Sequence, residues 1–224
     1  LAAKRGVLKI GNDMVANEVV TTKANDRAQL VFLDGSTLTV GPNSEITIDK
    51  FVYDPDKRTG ELTLNAGRGV FRYVGGAISK TSEVSIRTPS ATMGIRGGIA
   101  VFSVTSTGAT TASLLFGASL SMTSNGVTVT TTQPGTQISA LANAAPSAPT
   151  PIPAGGLQQF DRAFQGTPQP AAAAAVARAG GIRSFRIRFF RIRPPPRVAG
   201  EFPSRGPSMN RAPEAGGSAP SSLS

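Results

Sequence analysis

The sequence predicts an all-β fold, a roll, solenoid-like stack or sandwich of many short strands, followed by a low-complexity linker and a mostly disordered C-terminal tail. Three observations indicate this fold. Apolar and polar residues alternate with a period of two through most of the first 140 residues, as in half-buried strands. Clusters of Gly, Pro, Asn and Asp interrupt the alternation about every 8–12 residues. A convincing helical period is missing from the same region.

The clearest folding unit is the stretch from Arg27 to Tyr53, in which three alternating runs are separated by two turns. Asp34-Gly35 is a strong signal for a tight hairpin, because both residues tolerate positive φ. The cluster Gly41-Pro42-Asn43-Ser44 is the second break, since Pro fixes φ and Asn and Ser bond to their own backbone. This unit therefore predicts strand, tight turn, strand, loop, strand.

Further strand candidates lie on both sides of this unit, and together they define a predicted β domain over residues 5–140. Asn65-Ala66-Gly67 is predicted to separate two of them, Pro89 interrupts another, and residues 54–60 are predicted to form a polar loop. The candidates are Gly6–Ile10, Glu18–Thr22, Glu61–Leu64, Gly69–Val74, residues 83–102 and a closing series over residues 114–141.

From Ala142 onward the composition shifts to Ala, Pro, Gly and Ser. Residues 141–181 are therefore predicted as an extended, unpacked linker that contains short helices. The best helix candidate is Leu157–Gln165, which places Leu157, Phe160 and Phe164 on one face and needs a surface on which to dock. Residues 182–224 are rich in Arg and Pro and are predicted to be mostly disordered.

The residue inventory restricts the chemistry, because the chain contains no Cys, His or Trp. A disulfide, a Cys/His metal site and a His-based catalytic group are therefore excluded. The remaining Lys, Tyr, Ser and Thr residues stand beside no recognisable activating base. We therefore expect a protein that is not an enzyme, with no catalytic residue, no cofactor and no metal ligand. No apolar run approaches the ~18 residues that span a bilayer.

The net charge of +10 lies mainly in the C-terminal part. Residues 1–140 hold 13 Lys and Arg against 10 Asp and Glu, whereas residues 141–224 hold 10 Arg against 3 acids. Within the segment Ile182–Arg193, Arg alternates with Ile and Phe, which is typical of an unstructured basic tail or of contact with an anionic surface. For such contact the pattern favours a membrane surface over nucleic acid. The residues concerned are Arg183, Arg186, Arg188, Arg191 and Arg193.

Two stretches have alternative interpretations as binding sites. Asp49, Asp54, Asp56 and Glu61 faintly suggest a calcium or glycan site, but Lys50, Lys57 and Arg58 lie among them, so a solvated mixed-charge loop is favoured. The stretch 88–98 is rich in Gly and contains an Arg, which could hold an anion on backbone N–H groups. The favoured interpretation is structural, with the glycines allowing positive φ and Arg96 pairing with a carboxylate or capping backbone carbonyls.

The stretches RAQLVFLDGSTLTVGPNSEITIDKFVYDP (27–55) and EVSIRTPSATMGIRGGIAVFSV (83–104) resemble the FecR domain of bacteria. The later LLFGASLSMTSNGVTVTTTQPGTQIS (114–139) is similar to its closing hairpins. One departure is Gly98, where a Thr commonly follows the Arg-Gly pair. The residues that carry the motif, for which we expect a structural role, are Asp34, Gly35, Gly41, Pro42, Asn43, Thr88, Pro89, Gly94, Arg96 and Gly97.

The resemblance implies a β-rich domain outside the cytoplasm, periplasmic or secreted. In the best-known members this domain is the periplasmic half of a sigma-factor regulator. We therefore expect a non-enzymatic exported module of the cell envelope that binds, scaffolds or signals to a protein partner through sheet edges and loops. Two alternatives stay open: a carbohydrate- or ion-binding extracellular domain that uses the acidic loop, and a sigma-regulator half whose membrane segment lies upstream of Leu1.

Overall fold

The structure is a computed structural model that describes residues 13–14, 16–165 and 189–192, and it shows the all-β fold that the sequence predicts. In the described ranges there are fifteen strands and two short helices. They are β1 (Asp13–Met14), β2 (Val19–Thr21), β3 (Ala28–Phe32), β4 (Thr37–Val40), β5 (Glu45–Asp54), β6 (Thr59–Val74), α1 (Ala77–Thr81), β7 (Val84–Arg87), β8 (Thr92–Arg96), β9 (Ile99–Val104), β10 (Thr110–Phe116), β11 (Ser119–Ser124), β12 (Val127–Thr131), β13 (Thr136–Ala140), β14 (Thr150–Pro151), α2 (Gly156–Gln165) and β15 (Phe189–Ile192).

The strands form one curled sheet with two layers, which share the long strand β6. The first layer has the order β1-β15-β3-β4-β6-β9-β10-β13-β14. The second layer has the order β2-β5-β6-β7-β8-β11-β12. Most neighbours are antiparallel, but three pairs are parallel: β6 with β7, β3 with β15 and β1 with β15.

The prediction of two separate strands at Glu61–Leu64 and Gly69–Val74 is wrong, because β6 runs unbroken through both. Asn65-Ala66-Gly67 stays extended, since this part of β6 still pairs with β5, where Ala66 lies opposite Ile46. Beyond it, at Gly69 with φ +115, β6 changes partners from β5 and β7 to β4 and β9. The turn-forming residues of this segment therefore stay in a strand, because β6 pairs with β5 on one side and, at Asn65, with β7 on the other.

The apolar residues of both layers form one core, as the period-two alternation requires. Strand β3 shows the pattern clearly, with Ala28, Leu30 and Phe32 buried and the residues between them half-buried. The rings of Phe32 in β3 and Phe51 in β5 connect the layers, with centroids 5.4 Å apart. Within the first layer, the rings of Phe71 and Phe102 stack at 4.9 Å.

The predicted hairpin at Asp34-Gly35 joins β3 and β4, but with a different turn geometry. Only Gly35 has a positive φ, at +81, whereas the sequence suggested that both residues would. The Gly35 N–H donates to the Phe32 carbonyl and the Phe32 N–H to the Ser36 carbonyl, so the loop has three residues rather than two. This geometry points the Asp34 carboxylate inward.

Helix α1 was not predicted, because its five residues are too short to show a helical period.

The predicted linker also differs from the expectation, because residues 147–165 contact the β domain instead of running free. The Ser147 N–H donates to the Ser139 carbonyl, β14 pairs with β13, and Phe164 of α2 lies against Gly41. Here the predicted helix at Leu157–Gln165 is present and docked.

The tail is described only at β15, which lies between β1 and β3 in the first layer. Its four residues are therefore in a strand, although the sequence places them in a mostly disordered segment. The predicted strand Gly6–Ile10 and the rest of residues 182–224 lie outside the described residues.

Candidate functional site

The first motif, around Asp34, forms a buried polar cluster beneath helix α1. Asp34 is 6 % exposed, and its Oδ1 accepts hydrogen bonds from the Ser36 N–H at 3.0 Å and the Ser36 hydroxyl at 2.6 Å. Its Oδ2 accepts the Ile78 N–H at 3.2 Å, and its main-chain carbonyl accepts the Ala77 N–H. The β3–β4 turn thereby caps α1, and its carboxylate is fully engaged in holding the fold.

Tyr73 of β6 projects into this cluster. Its hydroxyl is buried and lacks a hydrogen-bond partner among the described residues. Burial raises the pKa of Tyr73 above its ordinary value of 10.0, and the Asp34 carboxylate adds to the rise. Ser36, Ser79 and the Gly76 backbone lie close enough to oppose the shift, but none has the geometry of a hydrogen bond to the hydroxyl.

The raised pKa of Tyr73 makes stability depend on alkaline pH. Since the neutral phenol is the form that the folded state favours, its contribution is present below pH 10 and is lost as the unfolded chain ionises above it. We expect wild type to lose stability relative to Tyr73→Phe by up to ~1.4 kcal/mol per pH unit above pH 10. Urea unfolding of both proteins between pH 8 and pH 12 measures the difference. If the free energy of unfolding falls with pH equally in the two proteins, the raised pKa of Tyr73 is contradicted.

The second motif, Gly41-Pro42-Asn43-Ser44, connects three segments of the chain. The Ser44 N–H donates to Thr22 Oγ1 at 2.9 Å, and Thr22 Oγ1 donates to the Gly41 carbonyl at 2.6 Å. The Ser44 hydroxyl accepts the Val70 N–H and donates to the Pro42 carbonyl. Asn43 takes the left-handed conformation at φ +52. Gly41 has no room for a Cβ, which would overlap Val70 and lie 3.2 Å from Phe164 of α2.

The third motif, residues 88–98, forms the turns around β8. Thr88 and Ala91 close the β7–β8 turn, with the exposed Pro89 between them. Gly94 lies inside β8, where an added Cβ would overlap the Glu83 carboxylate. Gly97 has φ +62, and its N–H donates to the Ser79 carbonyl at 2.7 Å. A carboxylate over Gly94 and an occupied Gly97 N–H both oppose an anion in this stretch.

Arg96 does not behave as the structural interpretation of this stretch expected. Its side chain is exposed, and it forms no ion pair within 4.0 Å in the described part of the chain. Its backbone pairs with Ser119 of β11, and its carbonyl accepts the Ala118 N–H. The motif is thus held here by backbone pairing rather than by the guanidinium.

The acidic loop is a tight turn between β5 and β6, in which Asp54 Oδ1 accepts the N–H groups of Asp56 and Lys57. Three of its acids lie beside cations rather than converging. The pairs are Glu61 with Lys50 at 2.6 Å, Asp49 with Arg87 at 3.6 Å and Asp54 with Lys57 at 4.0 Å. Within residues 13–14, 16–165 and 189–192, no group of three or more His, Cys, Asp or Glu side chains could hold a metal ion.

Strand β12 lies within the predicted series over residues 114–141, but the sequence did not indicate that one of its edges is open. It pairs with β11 on one side, and no described strand pairs with its other side. Val127, Thr128 and Thr130 are exposed, Val127 by 44 %. The sequence did show that this edge carries no charge, because no Asp, Glu, Lys or Arg occurs from Gly97 to Phe160, a range that contains all of β12.

The other edges of the sheet differ from β12. Strand β14 has two residues and ends in Pro151, and β1 also has only two residues. The edge formed by β2 and the end of β5 carries Glu18, Asp49 and Lys50. Charges, prolines and short strands are the usual protection of an exposed sheet edge, and β12 has none of them.

The predicted anionic-surface contact lies almost entirely beyond the described residues. Arg183, Arg186, Arg188 and Arg193 fall outside them, and only the backbone position of Arg191, in β15, is defined. In the part of the chain that the structure covers, neither helix is long and apolar enough to cross a bilayer.

Comparison with known proteins gives two kinds of similarity. Two crystal structures of a candidate anti-sigma factor from Parabacteroides distasonis are similar, each with 10 % sequence identity and each covering 64 % of this chain. Their TM-scores are 0.48 and 0.49, and the match spans 64 % and 63 % of their own chains. No curated protein matches. The model of the family described as FecR protein matches residues 18–118. The resemblance seen in the sequence is thus confirmed over residues 18–118, which match the FecR family model.

Proposed function

We propose that this chain is a non-enzymatic, protein-binding module of the bacterial cell envelope that takes part in signal transduction. The FecR match supports the regulatory role, because that family is regulatory and not known as enzymatic. Export to the periplasm or beyond the cell is part of the proposal and rests on the family resemblance.

The open edge of β12 carries the proposal. Its exposed N–H and C=O groups offer main-chain hydrogen bonds to an extended segment of a partner, which would add as a further strand. Val127, Thr128 and Thr130 are compact, uncharged and β-branched, so an incoming strand meets no charge that must be desolvated. An uncharged open edge without a partner is a site of aggregation, so we expect a partner to cover β12 in the functional state.

Photo-crosslinking in the producing bacterium tests the β12 edge. A photoreactive residue at Val127 is expected to give an adduct with another protein, whereas the same residue at Val52, 48 % exposed at the charged opposite edge, is expected to give none. Adding Thr130→Lys should remove at least nine tenths of the Val127 adduct, because a buried ammonium next to the new strand is costly. The change at this exposed position should shift stability by less than ~0.5 kcal/mol.

Three results would contradict the proposal. The first is no adduct at Val127 in a protein that folds normally. The second is equal adducts at Val127 and Val52, which would indicate collisions rather than recognition. The third is an adduct that contains only a second copy of this chain.

A narrower proposal is that the domain is the periplasmic half of a sigma-factor regulator, which the FecR match favours. The coding sequence upstream of Leu1 decides it. A cytoplasmic domain followed by a membrane helix supports the regulator, and a signal peptide alone contradicts it.

A further inference from the structure

A basic groove lies between helix α2 and the β domain, on a different part of the molecule from the β12 edge. It has a volume of about 910 Å³ and is open to solvent. Its walls come from five separated segments: the end of β2, the turn after β4, the middle of β6, the end of β9 with the turn that follows it, and helix α2. The lining residues that matter here are Lys23, Asn43, Arg68, Gly69, Ser106 and Arg162.

The groove concentrates positive charge in a body that is otherwise close to neutral. Residues 16–165 contain 11 Lys and Arg and 10 Asp and Glu, yet the groove is lined by three cations and no acid. Lys23, Arg68 and Arg162 are exposed, and none forms an ion pair within 4.0 Å with a described residue. Unpaired cations that converge in a concave site raise the local concentration of anions.

Three acids lie near these cations without joining the lining, and the first is Asp26, whose N–H donates to the Lys23 carbonyl at 3.0 Å. Glu45 is the register partner of Arg68 across the β5–β6 pair, and Asp161 precedes Arg162 in α2. The Glu45 side chain lies against Gly67 rather than in an ion pair with Arg68. The three cations therefore keep their hydrogen-bond donors available to a ligand.

The floor of the groove is fixed by the network of the second motif. Thr22 and Ser44 hold the turn that carries Asn43 against β6 through the bonds at Gly41, Pro42 and Val70. Gly69, at φ +115, lies directly over Ser44, where a Cβ would overlap that side chain. Phe164 packs against Gly41 and thereby positions the helix that supplies Arg162. A floor held in place in this way needs little ordering when a ligand binds.

We propose that this groove binds a phosphate-bearing ligand, with Arg68 and Arg162 contacting the phosphate oxygens and Lys23 adding charge at the rim. Arginine suits this role because its planar guanidinium donates two parallel hydrogen bonds to phosphate. The Asn43 N–H is donated to the Lys23 carbonyl, so the further polar contacts come from the Asn43 side-chain amide and the Ser106 hydroxyl, both on exposed residues. The volume is within the ~300–1,000 Å³ of small-molecule sites, which leaves room for a ligand larger than a single phosphate group.

The test is an NMR titration of the full chain with inorganic pyrophosphate at low ionic strength, in which the backbone amide chemical shifts are monitored. We expect saturable shifts at Asn43, Gly69 and Ser106. In Arg68→Gln/Arg162→Gln the apparent Kd at these amides should rise at least tenfold. The matched control Arg72→Gln/Lys80→Gln removes the same charge at exposed positions outside the groove and should keep the wild-type Kd. If the double variant fails to fold, Lys23→Gln in its exposed loop is expected to raise the Kd by at least twofold.

The source of the phosphate is decided by a second arm with vesicles. Co-sedimentation with phosphatidylglycerol vesicles that is lost in Arg68→Gln/Arg162→Gln identifies a lipid headgroup. Pyrophosphate binding without such loss identifies a soluble phosphate ligand. The proposal is overturned if no saturable shift occurs at the groove amides, or if the groove variant and the control variant bind pyrophosphate equally, since binding would then depend on overall charge or on the Arg-rich tail.

Discussion

Replacing Gly98 with threonine, the residue common in the family at this point, is expected to destabilise this chain by at least ~3 kcal/mol. Gly98 has φ +92, outside the range of β-branched residues, and an added Cβ would overlap the Phe116 carbonyl oxygen and Gly117. Left-handed backbone costs a non-Gly residue about 1–2 kcal/mol, and displacing a strand main chain adds to that. The Phe116 carbonyl lies next to a bulge in the β9–β10 pair, between Leu114 and Phe116. Urea unfolding monitored by circular dichroism measures the loss.

The neighbouring Gly97 provides the matched control. Its φ of +62 is in the region that asparagine tolerates, and the nearest atom to an added Cβ is 3.8 Å away. Gly97→Asn is therefore expected to cost less than ~1 kcal/mol. Equal costs at the two positions would show that backbone conformation alone matters, and that the contact with Phe116 does not.

Replacing Asp34 with alanine is expected to lower the free energy of unfolding by roughly 3–5 kcal/mol, because three donors lose a charged acceptor in a buried site. The donors are the Ser36 N–H, the Ser36 hydroxyl and the Ile78 N–H. Since Ile78 belongs to α1, the change should also release that helix. Urea unfolding gives the energy, and hydrogen exchange at Ile78 reports the local opening.

Asp54 is the matched control for Asp34, since its Oδ1 also accepts two main-chain N–H groups, at 3.0 and 3.2 Å, but in an exposed turn. Water replaces the lost acceptor there, so Asp54→Ala is expected to cost less than ~1 kcal/mol. A loss at Asp34 no larger than that at Asp54 would mean that burial of the cluster contributes nothing.

The local chemistry of the chain predicts where hairpins lie, although it did not give the loop length at Asp34-Gly35. Asn125-Gly126 has φ values of +48 and +73, as a two-residue turn requires, and it joins β11 to β12. The alternation in β3 matches its burial residue by residue. These features are local, so the sequence shows them directly.

The features that could not be predicted depend on residues far apart in the chain. Strand β6 passes through Asn65-Ala66-Gly67 because β5 pairs with it, and helix α1 is fixed by a carboxylate more than forty residues earlier, at Asp34. The basic groove combines Lys23, Arg68 and Arg162, and only the folded sheet brings these cations together. The β12 edge is different, since its lack of charge was readable in the sequence but its open side was not.

The sharing of β6 between the two layers has a consequence for unfolding. A strand of 16 residues extends over about 50 Å, and it is hydrogen-bonded to one layer along its first half and to the other along its second. Any change that separates β6 from its neighbours therefore removes hydrogen bonds from both layers at once. The two layers should accordingly lose their structure together, in one cooperative transition.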